Sequence, residues 1–108
     1  MASTVNEQPM LSSATRTVSG QSSGFRVGSY LEGNFLINVT VASGILTITP
    51  SISFDNNTYF PKDSAYEISA TGQYCIPVEN FGKYLRANYE ISPDGSFTFS
   101  LSFMGKEA

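Results

Sequence analysis

Residues 96–104 read SFTFSLSFM, and this stretch decides the fold class. Large apolar side chains occupy every second position: Phe97, Phe99, Leu101 and Phe103. Small hydroxyl side chains occupy the positions between them: Thr98, Ser100 and Ser102. Because successive side chains of a β-strand point to opposite faces, the stretch predicts a strand with one core-facing side and one uncharged, hydroxyl-lined side.

The same period of two recurs in residues 34–42 (NFLINVTVA), 45–54 (ILTITPSISF) and 84–91 (YLRANYEI). The pattern predicts that these side chains point inward: Phe35, Ile37, Val39, Val41, Leu46, Ile48, Ile52, Phe54, Leu85, Ala87, Tyr89 and Ile91. A second hydroxyl stripe is expected on the opposite face of residues 45–54: Thr47, Thr49, Ser51 and Ser53.

Two turn signals connect these strands. Ser-Gly at residues 43–44 predicts a hairpin that pairs residues 34–42 with residues 45–54. The SPDG motif at residues 92–95 fits a type I turn with Pro93 at its second position. Asp55 and Asp94 are expected to cap their turns, because Asp hydrogen-bonds readily to nearby backbone N–H groups.

The fold class follows from the period and from the strand spacing. No segment of helical length shows apolar residues at a spacing of three to four. Short strands recur roughly every 8–12 residues, which is typical of sandwiches and barrels. We therefore predict an all-β protein whose domain, residues 25–108, is an antiparallel β-sandwich of the immunoglobulin-like or jelly-roll-like type.

Residues 1–24 differ from the rest of the chain, because they are rich in Ser and Thr and contain few apolar side chains. Such a segment buries too little surface to order itself, so we predict an extended N-terminal arm. The arm either packs on its own domain or lies along a neighbouring chain. Met10 and Leu11, two adjacent large apolar residues, are its candidate contacts with a neighbouring protein.

Composition narrows the function classes. Charged residues make up 14% of the chain, and the formal net charge is −3. A net negative chain is a poor partner for nucleic acid or for an anionic membrane, both of which attract Lys and Arg. No targeting signal is recognisable, and no run approaches the about 18 apolar residues of a membrane span. Cys75, the single cysteine, is expected to be an inert, packed thiol.

No catalytic, cofactor-binding or metal-binding residues are predicted. The chain has no histidine, and its lysines lie beside turns or near the terminus, so the many hydroxyls lack a base. The sequence DNNT at residues 55–58 lacks the spaced acidic ligands of a calcium loop and indicates a turn. The six tyrosines could hold sugar rings, although cross-strand or interface packing is the more common use of Tyr.

Three segments of the chain resemble small structural proteins of tailed bacteriophages and prophages: FLINVTVASGILTITPSISFDNNTYF, ISATGQYCIPVENFGKYLRANYEIS and SFTFSLSFMGK. The likeness spans residues 25–106 and lies in the succession of strands and turns. The chain departs from that pattern at Tyr59-Phe60, where Trp-Tyr is common, and at Asn56-Asn57, where Asp-Gly is common.

The resemblance implies a non-enzymatic virion protein, foremost a capsid decoration (cement) protein. Its expected partners are the major capsid protein and neighbouring copies of itself in a homo-oligomer, for which a trimer is attractive. It would be made in the cytoplasm of the bacterial host and reside on the capsid surface, with Met10 and Leu11 as candidate capsid contacts. The alternatives are a carbohydrate-binding module that uses exposed tyrosines, and a tail or head–tail connector subunit.

Overall fold

A computed structural model describes residues 5–27, 30–62, 65–78 and 83–107. Over these ranges the chain forms ten strands and no helix, which confirms the all-β class. The strands are β1 (Val5–Arg16), β2 (Gly20–Gln21), β3 (Phe25–Arg26), β4 (Tyr30–Ser43), β5 (Leu46–Ser53), β6 (Phe60–Pro61), β7 (Tyr66–Ile68), β8 (Gly72–Val78), β9 (Tyr84–Ile91) and β10 (Ser96–Glu107).

The strands form two antiparallel sheets. Sheet 1 has the order β1-β10-β4-β8. Sheet 2 has the order β2-β9-β5-β6, with β3 also paired to β9 and β7 also paired to β5. The core combines buried apolar side chains from both sheets: Phe35, Ile37, Val39, Ile76, Val78, Phe97, Phe99, Leu101 and Phe103 from sheet 1, and Leu46, Ile48, Ile68, Leu85 and Ala87 from sheet 2.

Strand β10 has the predicted inward and outward faces. Phe97, Phe99, Leu101 and Phe103 are at most 1% exposed, and the hydroxyl side chains between them are only partly buried. The inward phase of β9 is also confirmed, because Leu85 and Ala87 are buried while Tyr89 and Ile91 pack against the core. Local alternation was sufficient here, because the pleat runs uninterrupted along both strands: the extra residues of the bulges lie on β1 and β4.

The predicted hairpin between residues 34–42 and 45–54 is wrong. β4 belongs to sheet 1 and β5 to sheet 2, so the chain crosses between the sheets at Gly44, whose φ is +95°. The β9–β10 connection crosses beside it. The two connections are joined by hydrogen bonds from the Ile45 N–H to Ser92 Oγ (2.9 Å) and from the Ser92 N–H to the Ile45 carbonyl (3.0 Å). A Gly with positive φ suits either a hairpin or a sheet-to-sheet corner, so the local sequence did not distinguish them.

The turn at residues 92–95 is also of a different type from the prediction. The Gly95 N–H donates to the Ser92 carbonyl (2.9 Å), as a β-turn requires. Asp94, at the third position, has a φ of +64°. A positive φ at this position defines type II rather than type I, and Asp is among the few residues other than Gly that tolerate it.

Two residues predicted to point inward are exposed. Val41 is 51% exposed, because a β-bulge shifts the register of β4: Thr98 pairs with Val41 and Phe99 with Val39, which leaves Thr40 as the extra residue. Phe54 is 75% exposed, because β5 ends at Ser53 and the chain leaves the sheet there. A bulge and a strand end both interrupt the period of two, and neither has a distinct sequence signal here.

The N-terminal segment does not stand apart from the domain. Residues 5–16 form β1, an edge strand that pairs with β10 along its length with two register shifts, and residues 20–21 pair with β9. An extended arm separate from the domain is therefore not confirmed, and its first four residues lie outside the described ranges. Composition was a poor guide, because backbone pairing to the open edge of β10 needs few apolar side chains.

Candidate interaction surface

The outer face of sheet 1 is lined mainly by uncharged side chains in the part of the chain that the structure describes. Register places Leu36 of β4 between Cys75 of β8 and Ser102 of β10. In the next row, Asn38 lies between Gln73 and Ser100. The hydroxyl stripe of β10 thus becomes the centre of a face that four strands share, because β10 and β4 are the two inner strands of the sheet.

A depression of about 370 Å³ lies in this face. The polar groups around it are mainly amides and hydroxyls: Asn38, Gln73, Ser100 and Ser102. Leu36 adds an apolar side chain, and Glu7 of β1 adds the one charged side chain of the lining. Amide and hydroxyl groups both donate and accept hydrogen bonds, so the depression can match varied polar groups without desolvating many charges.

Arg16, a cation at the end of β1, is used within the fold. The Arg16 guanidinium donates to the carbonyls of Phe99 (2.8 Å) and Ser12 (2.9 Å), and its central carbon lies 4.7 Å from the centroid of the Phe99 ring. Beside it, the hydroxyls of Thr15 and Thr98 are hydrogen-bonded across β1 and β10 (2.8 Å). The Arg16 guanidinium therefore holds the end of β1 against β10 and does not contribute its charge to the depression in the outer face.

The two candidate contact residues, Met10 and Leu11, lie together on β1. Both side chains are partly buried and pack against the core of their own domain. Leu11 is paired with Leu101 of β10, directly after a register shift in β1. The structure thus brings them to the core edge rather than to the depression in sheet 1, and their contact with a capsid or a neighbouring chain stays a prediction.

Cys75 lies on the outer face of sheet 1 and is exposed, so the expectation of a packed thiol is wrong. Its neighbours Ile76 and Val78 supply the inward positions of β8, at 5% and 1% exposure. Alternation from these two β-branched residues could have placed Cys75 outward. The general tendency of free cysteines to be buried was a weaker guide than the strand period.

The described tyrosines do not form an exposed row. Tyr66, Tyr74 and Tyr89 are partly buried against the core, and the Tyr74 hydroxyl donates to the Ala70 carbonyl (2.8 Å). Tyr59 lies under the Arg86 guanidinium, with 4.1 Å between its ring centroid and the guanidinium carbon. Burial raises the pKa of Tyr59, and the Arg86 charge opposes that rise.

Asp55 caps its turn as predicted. Its Oδ1 accepts the N–H groups of Thr58 (2.9 Å) and Asn57 (2.9 Å) and the Ser53 hydroxyl (3.0 Å). These bonds favour the charged form and lower the pKa of the Asp55 carboxyl. Among the described residues no group of three or more His, Cys, Asp or Glu side chains is placed to hold a metal ion.

The hydroxyl stripe of β5 is divided by this turn. Thr47 and Thr49 are partly exposed, whereas Ser51 and Ser53 are 1% exposed. The Ser53 hydroxyl also accepts the Asn56 N–H (3.0 Å), and the Ser51 hydroxyl donates to Asn88 Oδ1 (3.1 Å). Ser51 and Ser53 are thus bonded internally. Thr47 and Thr49 stay partly exposed on sheet 2, and Ser100 and Ser102 line the depression in sheet 1.

Comparison with models of known families, with characterised proteins and with solved structures gave no match. Among the described residues, none belongs to a helix long and apolar enough to cross a membrane.

Proposed function

We propose that this protein is a non-enzymatic structural component of a phage virion, a capsid decoration (cement) protein that binds the major capsid protein and stabilises the head. The observation that carries the proposal is the outer face of sheet 1, where hydroxyl and amide side chains replace the usual mixture of charges. Such a face can hydrogen-bond to a large protein surface and has little charge to desolvate.

The strand order supports a jelly-roll type of sandwich. Each sheet has a four-strand path, β1-β10-β4-β8 facing β2-β9-β5-β6, and successive strands such as β4 and β5 lie in opposite sheets. Double-sheet jelly rolls occur in viral capsid domains and in lectins. This analogy agrees with a virion role, although a fold supports several functions and the argument for binding rests on the surface.

The size of the face indicates how it would act. Four strands spaced about 4.8 Å apart, with about eight residues at about 3.3 Å each, cover roughly 500 Å². A standard interface buries about 800 Å² per partner, so one face alone would bind weakly. Decoration of a lattice compensates for this, because a copy that contacts two adjacent capsomers makes its second contact at a high effective concentration.

A binding experiment with capsids tests the proposal. Purified heads of the encoding phage, stripped of this protein, are mixed with either the unmodified chain or the Ser100→Glu variant. The substitution places a negative charge at the centre of the outer face of sheet 1. We expect the variant's occupancy on heads, measured by co-sedimentation and particle imaging, to fall at least tenfold. Thr49→Glu, a partly exposed position on sheet 2, is the matched control and should bind like the unmodified chain. Failure of the unmodified chain to bind heads, or equal loss in both variants, would refute the proposal.

The alternatives predict different observations. A glycan-binding module of the predicted kind would need exposed tyrosine rings, and five tyrosines are partly buried instead: Tyr59, Tyr66, Tyr74, Tyr84 and Tyr89. A tail or connector subunit would be present as a small symmetric ring rather than in hundreds of copies. Counting copies per particle therefore distinguishes decoration from a connector, and a glycan array tests the module.

A further inference from the structure

The outer face of sheet 2 carries opposite charges at its two ends. At the end where β5 finishes lie Arg26, Lys83 and Arg86 with the exposed Phe54 and Phe60; we call this set the basic end. At the end where β5 begins, Glu67 of β7 and Glu90 of β9 both pair with Thr47, one on each side; we call this set the acidic end. The basic and acidic ends therefore lie at opposite ends of β5.

Register brings the members of the basic end together. Ser53 pairs with Tyr84, which pairs with Arg26, and Ser51 pairs with Arg86. The Lys83 N–H donates to the Ser53 carbonyl (3.0 Å). The chain has six Lys and Arg residues, and four of them belong to the segments that meet here: Arg26, Lys62, Lys83 and Arg86. Among the described residues these four cations share the end with one carboxylate, Asp55, so the end is basic within a chain whose net charge is −3.

The basic end presents its aromatic side chains from an ordered turn. Phe54 is 75% exposed and Phe60 is 55% exposed. The turn between them is held by the Asp55 carboxylate and by the stacking of Arg86 on Tyr59. A large apolar side chain on a preorganised turn loses little entropy on docking, which is a property of interface hot spots.

The acidic end offers a complementary recess. A depression of about 320 Å³ is lined by Glu67 and Glu90 and by the apolar residues Ile45, Ile91 and Pro93. Ile45 is 44% exposed. Two carboxylates flanking one threonine repel each other, and an approaching cation would relieve that repulsion.

We propose that the basic end of one copy docks into the acidic end of the next copy, with Phe54 entering the depression and Arg26 and Lys83 facing Glu67 and Glu90. The cations of the basic end match the carboxylates of the acidic end, and the exposed Phe54 matches the apolar residues of the depression. Because the contact uses two different patches, it is head-to-tail and builds rings or chains of copies rather than closed pairs. The contact is small and rich in exposed charges, so we expect weak association that salt suppresses.

Carbodiimide coupling provides a direct test, since it joins an amine to a carboxylate only where the two touch. Within one chain Lys83 and Glu67 or Glu90 are separated by six residues of β5, about 20 Å. We expect peptides joining Lys83 to Glu67 or Glu90, each linking an isotopically light copy to a heavy copy. Products confined to single copies, or absence of these two linkages at low ionic strength, would overturn the proposal.

A charge-exchange experiment tests whether the same contact drives self-association. One double variant carries Arg26→Glu and Lys83→Glu, and the other carries Glu67→Lys and Glu90→Lys. Neither variant should self-associate in sedimentation velocity runs at low salt, and an equal mixture should recover association, because each contact then unites opposite charges. Ser13→Lys, which adds a charge at an exposed position of β1, is the matched control and should associate normally. Thermal melting confirms that each variant is folded.

Three outcomes contradict the proposal. Self-association that persists in either double variant would show that other surfaces carry it. A mixture of folded variants that stays monomeric would show that the two ends do not meet. Binding of single-stranded DNA by the basic end, without self-association, would make that end a polyanion site. None of these results bears on head binding through sheet 1, so this inference and the proposed function fail independently.

Discussion

Removal of the Phe99 ring should be among the most damaging single changes in the core. Phe99 is 0% exposed, and its ring makes an edge-to-face contact with Tyr89 at 5.5 Å and 80°. The Arg16 guanidinium carbon lies 4.7 Å from the centroid of the same ring. The ring therefore contacts sheet 2 through Tyr89 and the end of β1 through Arg16, in addition to its own sheet.

The expected cost of Phe99→Ala can be estimated from these contacts. Loss of a buried Phe side chain, including the cavity that remains, costs about 3–5 kcal/mol. The aromatic pair contributes about 0.5–1.5 kcal/mol and a partly exposed cation–π contact about 0.5–1 kcal/mol, which places this site in the upper part of that range. Domains of this size unfold with about 5–15 kcal/mol, so we expect loss of a third or more of the total stability.

Denaturant unfolding measures this cost. The chain has no Trp, so far-ultraviolet circular dichroism and tyrosine fluorescence are the suitable probes. We expect the midpoint to fall with the slope unchanged, because the surface exposed on unfolding is nearly the same. Thr98→Ala, on the opposite face of β10, should cost no more than about 1 kcal/mol, the value of its hydrogen bond to Thr15. Equal effects of the two substitutions, or a loss below about 1 kcal/mol for Phe99→Ala, would refute the assigned phase of β10.

Further predictions concern β1, Gly44 and Asp55. Deletion of residues 1–16 should lower the melting temperature, because it uncovers the edge of β10 and the core beside Met10 and Leu11; slow hydrogen exchange of β1 amides in the free monomer would agree, and unchanged melting would not. Gly44→Ala should destabilise by about 1–2 kcal/mol, since φ there is +95° and a Cβ would lie 2.5 Å from a serine hydroxyl; unfolding curves measure it. Asp55 should titrate below its ordinary pKa, so its stabilising effect is complete above about pH 4 and is lost as the pH falls through its folded-state pKa; carboxyl NMR titration checks the direction.

Part of the candidate surface was visible in the sequence. The alternation in residues 96–104 predicted an outward stripe of Thr98, Ser100 and Ser102, and this stripe lies on the outer face of sheet 1. The similar stripe of residues 45–54 proved different, because the turn at residues 54–59 bonds with Ser53 and the neighbouring Asn88 bonds with Ser51. Nothing in the local pattern of either stripe indicates which of them a turn will cover.

The charge asymmetry of sheet 2 had no sequence signal. Arg26 and Lys83 are separated by most of the chain, and Glu67 and Glu90 lie on different strands. Their grouping depends on the register of β9 and β5, which places Glu90 opposite Thr47 and Arg86 opposite Ser51. A shift of one residue in that register would have moved each of these side chains to the other face.

Local sequence patterns were enough to predict the all-β class, the inward faces of β9 and β10 and the capping role of Asp55. These features depend on the pleat of a single strand or on hydrogen bonds within a few residues, so the local order of residues is sufficient. Long-range strand pairing, by contrast, places β4 and β5 in different sheets, turns Val41 outward at a bulge and adds residues 5–16 to sheet 1. Each of these depends on which distant backbone N–H and C=O groups pair, and backbone groups are the same for every residue except proline.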